Sequence, residues 1–302
     1  MFERVFKLSE HKTTVKTEVM AGITTFMTMA YILAVNPSVL GSTGMDTTAV
    51  LLATALASCL GTLCMAFMAN LPFALSAGMG LNAFMAYTVV AGYGYSWQVA
   101  LLAVFIEGLI FIVLSLTNIR EAIFNAIPLT LKKGVSVGIG LFIAFIGLQN
   151  SGLCVDSATL VGIISFPENF HTAGICALLT LIGLFFTAVF YTRKMKGAIL
   201  YGILLTWILG MLCQVTGLYV PTPDAGFYSL FPSWGMTDFS KLGLTFGQCF
   251  NVDFSAVGIV NFIVVIFSFL FVDIFDTLGT LIGVATKAKM LDKDGKLPGI
   301  KP

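Results

Sequence analysis

Two aspartates lie one turn apart in the most polar of the long apolar segments of this sequence. The run VDIFDTLGTLIG (272–283) places Asp273, Asp276, Thr277 and Thr280 at i, i+3, i+4 and i+7, which is one face of an α-helix. An ionised Asp at the centre of a bilayer costs about 2.5–3.5 kcal/mol, so two on one helix indicate a binding site or a buried hydrogen-bond network. We favour the site, because the segment contains no Lys or Arg partner.

Carboxylates at such a site can accept N–H groups from a ligand, and a close pair can also take up and release a proton. Asp273 lies nearer the predicted outer end of the helix, so we expect it to meet the ligand directly. Asp276 is expected to be hydrogen-bonded within the protein, with Thr277 and Thr280 lining the same face.

An interrupted apolar segment is the second place where chemistry is expected. The stretch LPFALSAGMGLNAFMAYTVV (71–90) passes through Ala77 and Gly78, so we predict a broken span with a half-helix that starts around Leu81. Free N–H groups and the positive end of the helix dipole would then lie mid-membrane, where transporters bind substrates. Asn82 offers a donor and an acceptor there, which suits a heterocycle edge. A helix cap is its alternative role, and the two are compatible.

Two further polar positions carry weaker signals. Thr28 shares a helix face with Thr24 and Tyr31, and packing, with hydroxyls bonded to their own helix, is favoured over lining the site. Glu107 is a third acid in an apolar segment, and proton coupling and a protonated contact between helices fit it equally well. The candidates for proton coupling are therefore Asp273, Asp276 and Glu107.

The elements that must position these residues are membrane helices. Of the 302 residues, 58% are hydrophobic and 10% charged, against roughly 25% charged in soluble domains. Spanning about 30 Å of hydrocarbon takes about 20 apolar residues, and only helices satisfy their own backbone there. We predict eight membrane segments in an all-α polytopic protein, at 17–36, 49–69, 72–91, 97–117, 134–150, 172–192, 197–218 and 257–286.

Basic residues predict the orientation of these spans. Lys and Arg are retained on the cytoplasmic side, and with eight spans fifteen of the sixteen basic residues fall on one side, all except Lys241. We therefore expect a multi-pass inner-membrane protein with a cytoplasmic N-terminus. The segment 219–256, which contains Pro232 and Trp234, is expected to form an interfacial cap outside.

The six cysteines form no CxxC pair, so metal and redox chemistry are not expected, and no cofactor is expected either. Cys154 and Cys249 both fall in predicted outside loops. Two free thiols are favoured there over a disulfide, because nothing in the sequence fixes their distance.

Four strings resemble the nucleobase/ascorbate transporter superfamily and, within it, the AzgA-like adenine, guanine and hypoxanthine permeases. They are TMAYILAVNP (28–37), AGMGLNAF (77–84), IPLTLKKG with VGIGLFIAFIGLQNSGL (127–134 and 137–153) and VDIFDTLGTLIG (272–283). The resemblance implies proton symport of purine bases by an elevator movement, with the base held between the third-span break and the eighth span. Matching by motif, this implicates Asn82, Asp273 and Asp276, with Ala77 and Gly78 at the break.

The resemblance also implies seven plus seven spans in inverted repeat. Residues 1–118 (spans 1–4) and 257–302 (span 8 and a cytoplasmic linker) would belong to the moving core domain, 119–218 (spans 5–7) to the gate domain, and 219–256 to the extracytoplasmic loop. The chain would be the N-terminal part of such a transporter and would not transport alone. Where the family usually has Ala-Pro before Gly-Met-Gly, this sequence has Ser76 and Ala77, which puts the local backbone in doubt.

Three other classes of membrane protein are alternatives to a purine permease. A sulfate-type anion transporter of the same general fold is disfavoured because two aspartates would repel an anion. An intramembrane aspartyl protease needs acids facing each other across two helices, whereas these lie on one, so no enzyme is expected. A scaffold is disfavoured by the cost of the buried acids. The expected partners are a purine base, protons and lipid, without nucleic acid, and a homodimer is left open.

Overall fold

The computed structural model describes residues 2–117, 128–195, 197–223, 226–232, 235, 237–254 and 257–287. Within these ranges the chain is mostly helical and forms two compact units. The first comprises Met1–Glu18, Met29–Leu141 and Thr237–Pro302, and the second Val19–Thr28 and Phe142–Met236. Contacts within a unit do not reveal which part moves, so the division into core and gate domains stays a prediction.

The helices of the described chain follow the apolar runs of the sequence. In chain order they are α1 (Phe2–Phe6), α2 (Val15–Met29), α3 (Ile32–Gly41), α4 (Thr47–Cys64), α5 (Met79–Ala83), α6 (Trp97–Leu116), α7 (Leu129–Asn150), α8 (Ile175–Thr192), α9 (Ala198–Val215) and α10 (Ile259–Lys287). Three segments of π-helix extend them: Met65–Ala69 after α4, Phe84–Gly92 after α5 and Phe170–Gly174 before α8.

Six helical segments in the described chain are long and apolar enough to cross a membrane: Val15–Gly41, Thr47–Ala69, Trp97–Leu116, Phe170–Thr192, Ala198–Val215 and Ile259–Thr277. They fit a polytopic membrane protein. The other two predicted spans, 72–91 and 134–150, correspond to shorter apolar helices, Met79–Gly92 and Val137–Asn150. The helix Met79–Gly92 is shorter than its predicted span because residues 71–78 are not helical. The total of eight spans stays a prediction.

The core of the first unit lies where α6 and α10 pack against the Phe84–Gly92 segment. Val89, Val99 and Phe269 have 0%, 1% and 0% of their surface exposed. Phe84 meets Phe269 edge to face, with ring centroids 5.0 Å apart, which is a favourable geometry for two aromatic rings. This packing fixes α10, the helix that carries both aspartates, against the half-helix that follows the break.

In the second unit, α8 and α9 approach closely through two reciprocal glycine and threonine contacts. A methyl group added at Gly183 would lie 2.1 Å from Thr206 Oγ1, and one added at Gly202 would lie 1.8 Å from Thr187 Oγ1. Small residues permit this approach between membrane helices. Neither glycine can therefore carry a side chain unless the facing helix shifts.

A β-hairpin departs from the all-α expectation. Strands β1 (Cys154–Ser157) and β2 (Leu160–Ile163) pair antiparallel, with Cys154 opposite Ile163 and Ser157 opposite Leu160. The segment lies between two apolar runs and contains several β-branched residues, which favour extended backbone. The prediction of helices alone was made for the membrane segments, and it overlooked this connection.

In the first unit, an ion pair ties the start of α4 to the 3₁₀ helix Phe239–Leu244: Lys241 Nζ lies 3.2 Å from Asp46 Oδ2. Asp46 also caps α4 by accepting a hydrogen bond of 2.9 Å from the Ala49 N–H. The Ala49 N–H, with a further contribution from Lys241, holds the pKa of Asp46 below its usual value. Cys154 and Cys249 are both free.

The basic residues that predict the orientation are only partly covered by the structure. Lys7, Lys12, Lys16, Arg193, Lys194 and Lys241 are described in full. The residues outside the described ranges are Arg120, Lys196, Lys289, Lys293, Lys296 and Lys301, together with Trp234 of the predicted cap. The cytoplasmic position of the N-terminus stays a prediction.

Candidate functional site

The predicted break in the third span is present, and it is longer than a kink. Asn70 adopts the left-handed conformation (φ 51°), residues 71–78 are not helical, and α5 starts at Met79. The half-helix therefore starts two residues earlier than the predicted start at Leu81. Gly78 occupies the cap position in an extended conformation (φ −75°, ψ 116°), and no side chain caps the helix there. Its first-turn N–H groups are therefore not used by a capping side chain.

Two hydroxyl groups on α4 brace the broken segment. Thr62 Oγ1 accepts a 3.0 Å hydrogen bond from the Leu75 N–H and donates one of 3.2 Å to the Leu75 carbonyl. The Ser58 and Ser76 hydroxyls lie 3.0 Å apart. Non-helical backbone at membrane depth needs such partners, because lipid supplies none. Neither Ser58 nor Thr62 was predicted from the sequence.

Asp276 lies beside the start of the half-helix. A Cβ atom added at Gly78 would be 3.0 Å from Asp276 Oδ2, so the carboxylate lies against the backbone at the break. The N-terminus of the continuous helix Met79–Gly92 carries a partial positive charge, which favours a negative group at this position. The structure thus brings together two of the predicted site elements, the break and the polar face of α10.

Asp273 has different neighbours. The Thr277 hydroxyl donates a long hydrogen bond of 3.4 Å to Asp273 Oδ1. Asp273 is also close enough to Glu107 of α6 to interact with it electrostatically. Glu107 is 4% exposed, and within the described chain its Oε1 has no hydrogen-bond partner. An acid of α6 and one of α10 therefore lie near each other.

Asn82 does not cap the half-helix. Its backbone N–H donates to the Gly78 carbonyl at 3.1 Å, as expected within a helix, and its side-chain Nδ2 donates to Asn36 Oδ1 of α3. Asn36 Nδ2 donates in turn to Thr54 Oγ1 at 2.7 Å, and the Thr54 hydroxyl donates to the Val50 carbonyl at 2.7 Å. Asn36 and Thr54 are 4% and 6% exposed. A buried polar chain thus connects Asn82 to α4.

Sequence reasoning missed Asn36, Thr54, Ser58 and Thr62, although a signal for three of them exists. Thr54, Ser58 and Thr62 are spaced four residues apart, which puts their hydroxyl groups on one face of α4. Asn36 has no such pattern, since it is a single amide in an apolar helix. Its role is visible only from its partners in space.

The remaining predicted residues are not all brought together. Ala77 is half-buried within the break, while Thr280 is exposed on α10. Thr28 belongs to the other compact unit, and its hydroxyl donates to the Thr25 carbonyl at 2.9 Å, so its place in a site stays a prediction. Among the described residues, no group of three His, Cys, Asp or Glu side chains is arranged to hold a metal ion.

Comparison with known proteins places the chain among permeases. Residues 16–300 match the family described as the permease family. The chain is 44% identical over 303 residues to the guanine/hypoxanthine permease PbuG of Bacillus subtilis, covering 97% of this chain and 64% of that protein. It is 41% identical over 303 residues to PbuO, a guanine/hypoxanthine permease of the same organism, covering 98% and 65%. It is 40% identical over 305 residues to the adenine permease AdeP of Escherichia coli, covering 100% and 63%. The chain thus spans less than two thirds of the length of each of these relatives.

Proposed function

This chain belongs to the permease family, and from that premise we propose that it takes part in secondary active transport of purine bases across the inner membrane. The family is one of transporters and not of enzymes. The observation that carries the proposal is the position of the Asp276 carboxylate at the Gly78 break, next to the half-helix that presents Asn82. Three relatives whose names state a purine substrate support the choice of ligand.

The chemistry of the site fits a purine. A purine base is neutral near pH 7 and presents N–H donors and ring acceptors along its edges, so it needs acceptors and an amide more than it needs a cation. We assign binding of the base to Asn82, Asp273 and Asp276, with Ala77 and Gly78 at the backbone of the break. Thr28, Thr277 and Thr280 are assigned to the lining.

For the coupling proton we propose the acids Asp273, Asp276 and Glu107. Asp273 and Glu107 lie close enough to interact electrostatically, so we assign the coupling proton to this pair of acids. Glu107 Oε1 has no hydrogen-bond partner among the described residues, so it is an available position for that proton. Loading and unloading this pair from opposite sides would link proton flow to movement of the base.

We propose further that the movement is of the elevator type. The break, α10 and α6 all belong to the first compact unit, so Asn82, Asp273 and Asp276 can be carried as a single body, whereas Thr28 belongs to the second unit. In this proposal these three residues move with the core domain of a seven-plus-seven inverted repeat, while the gate domain stays fixed. The N-terminus is proposed to be cytoplasmic.

The test is uptake of labelled adenine, guanine and hypoxanthine by cells that lack their own purine permeases and express the protein at its natural full length. We expect accumulation of at least one base, its loss with a protonophore, and no competition by excess sulfate. Competition by sulfate without purine uptake would assign the protein to anion transport. Purine accumulation that a protonophore does not affect would remove proton coupling from the proposal.

Variants at Asp273 test whether its carboxylate is needed for purine binding and for accumulation. Asp273→Asn keeps the shape of the side chain but removes its ionisable group, so it should abolish accumulation and retain part of the binding. Asp273→Ala should lose both. Asp156→Asn, an exposed position in β1, is the matched control and should behave as wild type. Accumulation at the wild-type level by Asp273→Asn would show that this carboxylate is needed for neither role.

A further inference from the structure

We propose that Asn36 and Thr54 set the amide orientation of Asn82, so that its Oδ1 faces the ligand as an acceptor and the site selects bases with an N–H group there. This inference rests on the proposed function, since it names positioning residues for the same site. It begins from the polar chain that joins Val50, Thr54, Asn36 and Asn82.

The orientation of this chain follows from its fixed end. The Val50 carbonyl can only accept, and Thr54 Oγ1 lies 2.7 Å from it, so the hydroxyl proton must lie between them. Thr54 Oγ1 can then only accept from Asn36, which must direct its NH₂ group toward it at 2.7 Å. A side-chain amide has one donor end and one acceptor end.

The same reasoning determines the orientation of Asn82. With its NH₂ group on Thr54, Asn36 presents Oδ1 to Asn82, and only the NH₂ group of Asn82 can donate to it. A flip of either amide would place two donors or two acceptors in contact inside a region where Asn36 and Thr54 are almost fully buried. Asn82 itself is half-buried, and its side chain makes no hydrogen bond to a described residue other than Asn36, which leaves its Oδ1 and its second N–H for a ligand.

The consequence is a site rich in acceptors. Asn82 contributes Oδ1, and Asp276, beside the same break, contributes carboxylate oxygens. A base that meets these two acceptors needs N–H donors on the facing edge. Removing a hydrogen bond of this kind from a buried partner typically reduces selection by a factor of about ten or more.

The first test measures selectivity. We would determine the affinity of the full-length protein for hypoxanthine and for each of its singly N-methylated analogues, comparing wild type with Thr54→Val and Thr54→Ser. Valine matches the shape of threonine but lacks the hydroxyl group, whereas serine retains it. For at least one analogue, we expect wild type to discriminate about tenfold or more, Thr54→Val to lose most of that ratio, and Thr54→Ser to keep it.

A double variant separates positioning from a general structural role. If Thr54 acts through Asn82, then Thr54→Val should not change the selectivity ratio further in an Asn82→Ala background. A loss of the ratio that is equal in Thr54→Ser and Thr54→Val, or an unchanged ratio in Thr54→Val, would overturn the inference. Absence of purine binding by wild type would instead overturn the proposed function.

A second test needs no ligand. Asn82→Asp replaces the donor that faces Asn36 Oδ1 by a second acceptor, so its melting temperature should fall further below that of wild type as the pH is raised from 4 to 8 and the carboxyl group loses its proton. Adding Thr54→Val frees the Asn36 amide to turn, so it should recover part of this loss. An Asn82→Asp variant as stable as wild type at every pH would show that the amide has the opposite orientation.

Discussion

A methyl group at Gly78 is the smallest change that would push the Asp276 carboxylate of α10 away from the broken segment. At φ −75° the backbone of Gly78 accepts alanine without strain, so the effect of Gly78→Ala is confined to what the new Cβ meets. The Cβ would lie 3.0 Å from Asp276 Oδ2 and 3.6 Å from Leu81 Cδ1. The second distance is ordinary contact, while the first requires the carboxylate to withdraw by a few tenths of an ångström.

The magnitude follows from the overlap. Overpacking by a methyl group typically costs about 1–3 kcal/mol, and the low end applies because a single carboxylate can rotate away. The effect on binding is separate: if the displaced carboxylate no longer meets the ligand, loss of that hydrogen bond is worth about 1 kcal/mol, a roughly five-fold weaker Kd. Membrane insertion and protein abundance should not change, since the core around Phe269 is not touched.

The assay is equilibrium binding of labelled purine to purified protein. Gly138→Ala is the matched control, because nothing lies within 4 Å of a Cβ at that position. The double variant Gly78→Ala with Asp276→Ala should bind no more weakly than Asp276→Ala alone, since both changes act on one contact. Wild-type affinity in Gly78→Ala, or an equal loss in Gly138→Ala, would refute the placement of Asp276 at the break.

Four further outcomes are expected. Asp276→Asn should reduce purine transport less than loss of Asp273 does and should shift the pH dependence of uptake, measured from pH 5 to 8 at equal surface abundance. Gly202→Ala should destabilise the protein by roughly 1–3 kcal/mol in thermal unfolding, and Thr187→Ala should restore part of the loss, because the added Cβ would lie 1.8 Å from Thr187 Oγ1. Asp46→Ala should lower the melting temperature more than Asp46→Asn, which keeps a capping acceptor, and any advantage of Asp over Asn should disappear as the pH falls through the lowered pKa of Asp46. A cysteine at position 194 should react with reagents only from the cytoplasmic side, and labelling from outside would reverse the predicted orientation.

The parts of the site that were predictable from the sequence are those that depend on local pattern. The run of Ala77, Gly78 and Gly80 predicts a break because glycine tolerates non-helical backbone, and residues 71–78 are indeed not helical. The spacing of Asp273 and Asp276 predicts one polar face on one helix, and both lie on α10. Each prediction needed only neighbours within a few turns.

The partners of these residues were not predictable, since they come from distant parts of the chain. Asn36 and Asn82 are 46 residues apart and Asn36 and Thr54 are 18 apart, and no periodic pattern relates an amide on one helix to a hydroxyl on another. Thr277 illustrates the same limit at short range. It shares a predicted helix face with both acids, and only the structure shows that its hydroxyl donates to Asp273, one turn earlier.

The hydroxyl face of α4 explains how a broken helix can hold a precise site. An unwound segment in an apolar environment leaves N–H and C=O groups without partners, and each such group costs several kcal/mol in lipid. Thr62 satisfies both backbone groups of Leu75, and Ser58 meets the side chain of Ser76, so the segment before Gly78 is fixed at two successive positions. Thr54, one turn further along the same face, is the end of the chain that orients Asn82. A single helix thus positions both the backbone of the break and the amide that follows it, and preorganisation of this kind lowers the ordering cost of binding a ligand at the candidate site.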